Sequence, residues 1–376
     1  MHILFPIGSF YPSQAGGPSN SVYWLAKMLL RAGYKITIVT TNHDIPSRMC
    51  DRWIHMEAGR VQYVSTFSHL LPLGLIYRAV KQVDNAQIIH LTSVFYAPSL
   101  PIAIWSLWKG KKILWSVRGE LAGNALLYNS FLKKAYLLLV RCCAQAVVFH
   151  STSPVETAQI RTALGPAIKV AEVPNFLELP ERLERRPATV FLLYIGRIHS
   201  IKALDNLLDA LAYLRQKSRI VRLKIAGRGD AGYTMMLQQK AQELGIDAQI
   251  EWMGEVTGQA KQQLLADAHY TVLASYTENF GIVVTESLAQ GTPVIASHGT
   301  PWQVLEEVRA GRWVSNDAPS LAEAIDTLLQ LPEHEYAAMR ERAMRLAEER
   351  FDIHRNVHRW HEVYQQMVQT HKTTLK

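Results

Sequence analysis

Short runs rich in β-branched and aromatic residues alternate with amphipathic stretches along almost the whole chain, and this alternation constrains the fold more than any other feature. HILFPIG and KITIVTT flank SNSVYWLAKMLLRAG, in which Val22, Leu25, Ala26 and Leu29 recur at helical spacing. VQYVS, QIIHLT, KKILWSV and AVVFH continue the strands, with helices expected in 72–83, from 97, in 124–143 and from about 153. Such alternation predicts a parallel, doubly wound sheet. PNFLELPERLERRPAT, with Pro174, Pro180, Pro187 and a charge run, breaks the series near its middle and reads as a linker. A second series follows: TVFLLYIG, a helix with Leu204, Leu207, Leu208 and Leu211 on one face, IVRLKIAG, a helix in 231–244, QIEWMG, a short helix from 258, HYTVLASY and PVIAS. The tail from 319 reads as mostly helical. A chain of 376 residues exceeds one ordinary core. The expectation is an α/β protein of two similar sandwiches facing each other across a cleft.

The apolar share of 48% belongs to a soluble globular protein, and no uninterrupted apolar run is long enough to span a bilayer. MHILFPIGSF lacks the basic start and cleavage site of a signal peptide, so the expected address is cytoplasmic. Cys50, Cys142 and Cys143 form neither a disulfide framework nor a metal-ligand spacing. The net charge of +8 is uneven: residues 1–170 hold 17 Lys/Arg against 6 Asp/Glu, and the remainder holds 23 against 26. In the basic half, HLLPLGLIYRAVKQ, PIAIWSLWKGKKILW and NALLYNSFLKKAYLLLVR set apolar runs beside cations. That pairing suits an anionic membrane surface or a lipid-linked anionic substrate. Core helices with snorkelling ends are the plainer alternative. No nucleic-acid motif accompanies the charge, so nucleic acid is not an expected partner.

Three features converge on phosphate. After the first strand, GSFYPSQAGGPSNS places Gly16 and Gly17 ahead of a helix, where backbone can approach an anion closely. The loop is not a dinucleotide fingerprint, which needs its glycines immediately after the strand. YIGRIHSIK sets Arg197 and Lys202 around a loop leaving a buried strand, where a planar fork and a point charge grip a diphosphate. ENFGIVVTESLAQGTPVIAS puts Glu278 and Glu286 eight positions apart at a strand-to-helix turn, about two helical turns, so both carboxylates are expected to face one crevice. The N–H groups of Asn279, Phe280 and Gly281 are expected to start the helix and to point at an anion, while the carboxylates accept hydrogen bonds from sugar or ribose hydroxyls.

The E-x7-E pattern in ENFGIVVTESLAQGTPVIA, with GRIHSIK upstream, PNF near the linker and the Gly-Gly loop, resembles the retaining glycosyltransferases of GT-B fold, family GT4 (glycosyl transferases group 1). The resemblance implies two Rossmann-like domains: an N-terminal acceptor domain in 1–175, a linker in 176–188, a donor domain in 189–352, and a final helix in 353–376 returning to the first. It implies that Glu278 approaches the donor sugar, Glu286 the ribose, Arg197 and Lys202 the diphosphate, and the backbone around Met253 the base. Gly16 and Gly17 would close on the donor from the other domain. One departure stands out: Arg118, in ILWSVRGEL, occupies the position where many members carry a histidine. A guanidinium stays protonated and cannot act as a general base, but it pairs with phosphate or orients an acceptor. His90 and Glu120 are the other acceptor-side candidates.

The reaction so implied is retaining transfer from a nucleotide-diphosphate-sugar to a hydroxyl, with no cofactor beyond the substrate. The chain contains no Asp-x-Asp pair, and no metal is expected. The expected acceptor is a lipid-linked saccharide of bacterial envelope or exopolysaccharide assembly, handled by a protein resting on the inner face of the cell membrane. A sugar-nucleotide epimerase of the same fold and a non-catalytic binding partner of a membrane assembly are the rival readings.

Overall fold

Every residue of β1 (His2–Ile7) is buried, because the strand lies inside a sheet covered on both faces. The computed structural model describes residues 1–13, 17–68, 71–123, 130–186 and 189–369. Around β1 run β2 (Lys35–Thr41), β3 (Trp53–Met56), β4 (Gly59–Val64), β5 (Ile88–Thr92), β6 (Lys112–Ser116), β7 (Val148–Ser151) and β8 (Lys169–Glu172). Their order is β3-β4-β2-β1-β5-β6-β7-β8, parallel except that β3 pairs antiparallel with β4. Period-two alternation divides β1 between two cores. Ile3, Phe5 and Ile7 pack with the helices Gly17–Arg31 and Ile353–Gln369. Leu4 points to the opposite face, beneath the helices Leu73–Val83, Ser99–Trp108, Ser130–Ala144 and Pro154–Leu164. The first compact unit thus comprises residues 1–178 together with the chain from Ile353 onward.

The second unit spans Leu179–Asp352. Its sheet contains β9 (Phe191–Ile195), β10 (Arg222–Ala226), β11 (Ile250–Gly254), β12 (Tyr270–Leu273), β13 (Val294–Ser297) and β14 (Gly311–Val314), all parallel in the order β11-β10-β9-β12-β13-β14. Leu204, Leu207, Leu208 and Leu211 of the Leu204–Gln216 helix are fully buried against this sheet, as their spacing requires.

Strands β3, β8 and β14 have no counterpart among the strands expected from sequence. Each is only four residues long and at best half-buried for most of its length, so none carries the uninterrupted apolar run that marks a central strand. Among the described residues, no helix is long and apolar enough to cross a membrane.

Candidate active site

Strand β9 ends at Ile195, and the loop that follows from Gly196 runs in contact with the loop that leaves β10. Gly196 N donates to Ala226 O at 3.0 Å and Ile198 N to Arg228 O at 2.9 Å. A Cβ on Gly227, whose φ is +148°, would lie 1.8 Å from Gly196 O, so only glycine permits this approach. The loop then carries Arg197, exposed, and the turn Ser200–Lys202. Tyr194 donates to Arg197 O at 2.7 Å and holds the loop from below.

The loop after β12 joins it from the neighbouring strand. Tyr276 N donates to Ile201 O at 2.9 Å, and Glu278 N to Gly299 O at 2.9 Å. The Trp302 indole N–H donates to Phe280 O, and the Phe280 ring is enclosed beside Trp302 and Phe351. These anchors bring the Glu278 carboxylate onto the Lys202 ammonium, with both side chains largely enclosed. Glu286 lies further along and is held differently: Lys261, on the Gly258–Asp267 helix, approaches its two oxygens at 2.7 and 2.6 Å.

The two carboxylates therefore sit on separate cations. Lys261 escapes sequence reading because it lies on a different helix, and no spacing relates it to Glu286. One correction concerns the helix start. Gly281 adopts φ +78° and caps the helix Ile282–Ala289 from outside. Asn279 and Phe280 consequently precede the helix, and the first helical N–H groups belong to Ile282 and Val283. Met253 is half-buried in β11 and packs against the cluster containing Leu193 and Ile195.

In the first unit Gly16 lies outside the described residues, while Gly17 opens the Gly17–Arg31 helix. Arg118 and Gly119 both have positive φ, +61° and +77°, at the carboxyl end of β6. Left-handed backbone at a bulky residue is uncommon and persists where surrounding contacts hold it. Here Glu156 holds it, accepting from Gly119 N at 2.6 Å and from Thr152 N at 2.7 Å. The Arg118 guanidinium donates to Asn175 Oδ1 at 2.7 Å, and its Nε is enclosed with no partner. Burial pulls Arg118 down to about 10, which still leaves it cationic at neutral pH. The Tyr96 hydroxyl and Thr92 Oγ1, in and after β5, are likewise enclosed without partners.

His90 requires correction as an acceptor-side residue, and Glu120 is half-buried with one oxygen engaged by backbone. Glu120 accepts from Val94 N and Phe95 N at 2.5 and 2.9 Å, clamping the loop after β5, and burial raises its carboxyl. His90 is fully enclosed, with its ring nitrogens 2.8 Å from the Tyr364 hydroxyl and 2.7 Å from Ser116 Oγ. His90 is therefore not available to a ligand.

Residues 176–346 match the family described as Glycosyl transferases group 1, and residues 16–175 match the Glycosyl transferase 4-like domain. The chain belongs to the group 1 glycosyltransferases, GT4-type, and its fold is GT-B. Among relatives of this chain, one component of the phosphatidylinositol N-acetylglucosaminyltransferase of Homo sapiens is 24% identical over 322 residues, 81% of this chain and 64% of that protein. A GDP-mannose-dependent alpha-(1-6)-phosphatidylinositol dimannoside mannosyltransferase of Mycobacterium tuberculosis is 32% identical over 159 residues, 42% of this chain and 40% of that one. The chain thus spans less than two thirds of either relative's length. The Anabaena HepE structure in complex with UDP and glucose superposes with a TM-score of 0.77 at 19% identity, covering 97% of this chain and all of that one.

Proposed function

We propose that this glycosyltransferase moves a sugar from a nucleotide-diphosphate-sugar to a hydroxyl of a lipid-linked saccharide, with retention and without a metal. The reading rests chiefly on one juxtaposition. The loops leaving the adjacent strands β9 and β12 put Arg197, the Lys202–Glu278 pair and the start of the Ile282–Ala289 helix at one end of the sheet. Open parallel sheets bind ligands beyond their carboxyl ends. Cations and helix N–H groups suit a diphosphate, and a carboxylate already oriented by Lys202 suits sugar hydroxyls.

Bond by bond, the sugar C1–O bond to the phosphate breaks and its electron pair passes to the diphosphate. The acceptor oxygen bonds C1 from the same face, and its proton passes to the departing phosphate oxygen. Arg197 and Lys202 stabilise the charge that develops on that oxygen. Lys261, paired with both Glu286 oxygens, orients that carboxylate for the ribose. Arg118, cationic and incompletely hydrogen-bonded, would orient the acceptor. A lipid-linked acceptor is supported by the two relatives named for phosphatidylinositol substrates, and a nucleotide-sugar donor by the UDP complex of HepE.

The test is incubation of the protein with a panel of uridine, guanosine and adenosine sugar nucleotides and a lipid-linked saccharide, with product NMR. Transfer with retained anomeric configuration, unaffected by EDTA, is expected. An inverted centre or loss of turnover in EDTA would contradict the mechanism. Epimerised donor in the absence of acceptor would point to the epimerase instead.

A further inference from the structure

The helices Leu73–Val83, Ser99–Trp108 and Ser130–Ala144 cover one face of the first sheet, and inward residues such as Leu75, Ala79, Ile102, Ala103, Leu137 and Val140 share one buried cluster. A surface helix of a soluble protein ordinarily turns a polar stripe outward. These three turn large apolar side chains outward instead. Trp108 is 72% exposed, Phe131 80% and Leu132 72%, and Tyr77, Ile104 and Leu139 are exposed as well. The first two helices pack against each other, and Tyr136 of the third meets the Phe95 ring and Tyr96 O in the loop leading to the second. The apolar groups therefore belong to one array of adjacent elements.

Charge on this array is predominantly positive. None of the three helices contains Asp or Glu, and from Phe67 to Val155 the chain holds nine Lys/Arg against the clamped Glu120 and Asp84, whose carboxylate lies 3.5 Å from Lys109 Nζ. Cations lie directly against rings: Lys81 Nζ is 4.3 Å from the Tyr77 ring centre, and Lys109 Nζ is 5.0 Å from that of Trp108. Aromatic rings flanked by ammonium groups fit the headgroup level of a bilayer, where the ring is half-solvated and the cation meets phosphate. Two copies of this face would oppose like charges, which disfavours self-association through it. Binding of nucleic acid would leave the exposed leucine and isoleucine side chains without a role.

We propose that this outward three-helix face docks on the surface of an anionic phospholipid bilayer, its rings and aliphatic side chains entering the headgroup boundary while the lysines meet lipid phosphates. The inference rests on the reading of a lipid-linked acceptor for its biological purpose, and on the surface itself for its physical basis. Flotation with vesicles of phosphatidylcholine alone, or mixed with phosphatidylglycerol, tests it in the full chain. Wild type is expected to float with the mixed vesicles and not with the neutral ones. A cation near an anionic surface is worth about fivefold in partition, so Lys133→Ser with Lys134→Ser should lower flotation about 25-fold. The W108S/F131S/L132S variant should lose it altogether. Ile220→Ser, at an exposed position of the second unit, should change nothing.

Equal flotation with both vesicle types, or variants that float like wild type, would overturn the proposal. So would a dimer that the triple variant dissolves in light scattering while flotation persists. Calorimetric titration of nucleoside diphosphates on the same proteins without vesicles separates the two readings. Flotation lost with nucleotide binding intact is the outcome expected of the variants. Flotation intact with no nucleotide binding by wild type would sink the transferase reading alone.

Discussion

Lys202 and Glu278 are separated by 76 positions and meet because two strand-end loops are tied backbone to backbone. Lys202→Met removes the cation proposed to meet the diphosphate and leaves a largely enclosed carboxylate unpaired. Steady-state kinetics should show kcat lowered about 10²–10³-fold, the usual effect of losing one donor to a developing negative charge. Glu286→Gln keeps the shape but weakens a charge-assisted hydrogen bond, so KM for the donor should rise about tenfold with little change in kcat. Gly281 is held at φ +78°, and a Cβ there would lie 2.8 Å from Leu273 Cδ2. Gly281→Ala should therefore lower stability by about 1–3 kcal/mol, seen as a reduced Tm. The charged residues of the two loops are legible in sequence because strand ends announce themselves and a charge beside a buried strand has few explanations. Lys261, Asn175 and Glu156 are not legible. Each takes its place through a contact between elements whose relative rotation only the folded chain defines.

At the scale of elements, the Ile353–Gln369 helix is fastened to the first sheet by a buried polar chain. Tyr364 hydroxyl, His90, Ser116 and His150 follow one another at 2.7–2.8 Å, ending on Val173 O. Trp360 lies against both imidazoles, with ring centres 5.6 and 4.6 Å away. Burial drives His90 well below its usual range and His150 down to about 3. Both rings are neutral in the folded state, whereas the unfolded chain protonates them near pH 6.5. Below that pH the unfolded state binds more protons, so stability falls as pH drops, by about 1.4 kcal/mol per histidine per pH unit. Urea unfolding between pH 7.5 and 5.5 measures the slope, and imidazole NMR should find at least two histidines that do not titrate down to pH 5. Full titration of every histidine near pH 6.5 would refute the arrangement. Tyr364→Phe, which strands a buried ring nitrogen, should cost about 1–3 kcal/mol in the same unfolding assay. Hydrophobic periodicity reveals the helix but not this fastening, which depends on polar residues meeting across elements distant in the chain.

For the molecule as a whole, alternation of strand and helix is sufficient to read a parallel α/β architecture, since β1, β2, β5, β9 and β12 are buried along nearly their whole length and are rich in β-branched and aliphatic residues. Edge strands β3, β8 and β14 lie beyond that reading because half-exposed strands carry mixed sequences. Chemistry also divides between the units. Excess positive charge and exposed apolar residues characterise the first, while the loop that carries Arg197 and Lys202, with Glu278 beside it, belongs to the second. The central claim is that this loop binds a nucleoside diphosphate. Isothermal titration of UDP, GDP and ADP with their monophosphates, into wild type and into Arg197→Ala with Lys202→Met, tests it directly. One diphosphate should bind at least tenfold more tightly than its monophosphate, and the double variant should abolish that difference. Equal affinity for monophosphate and diphosphate, or a preference that survives in the variant, would contradict the account.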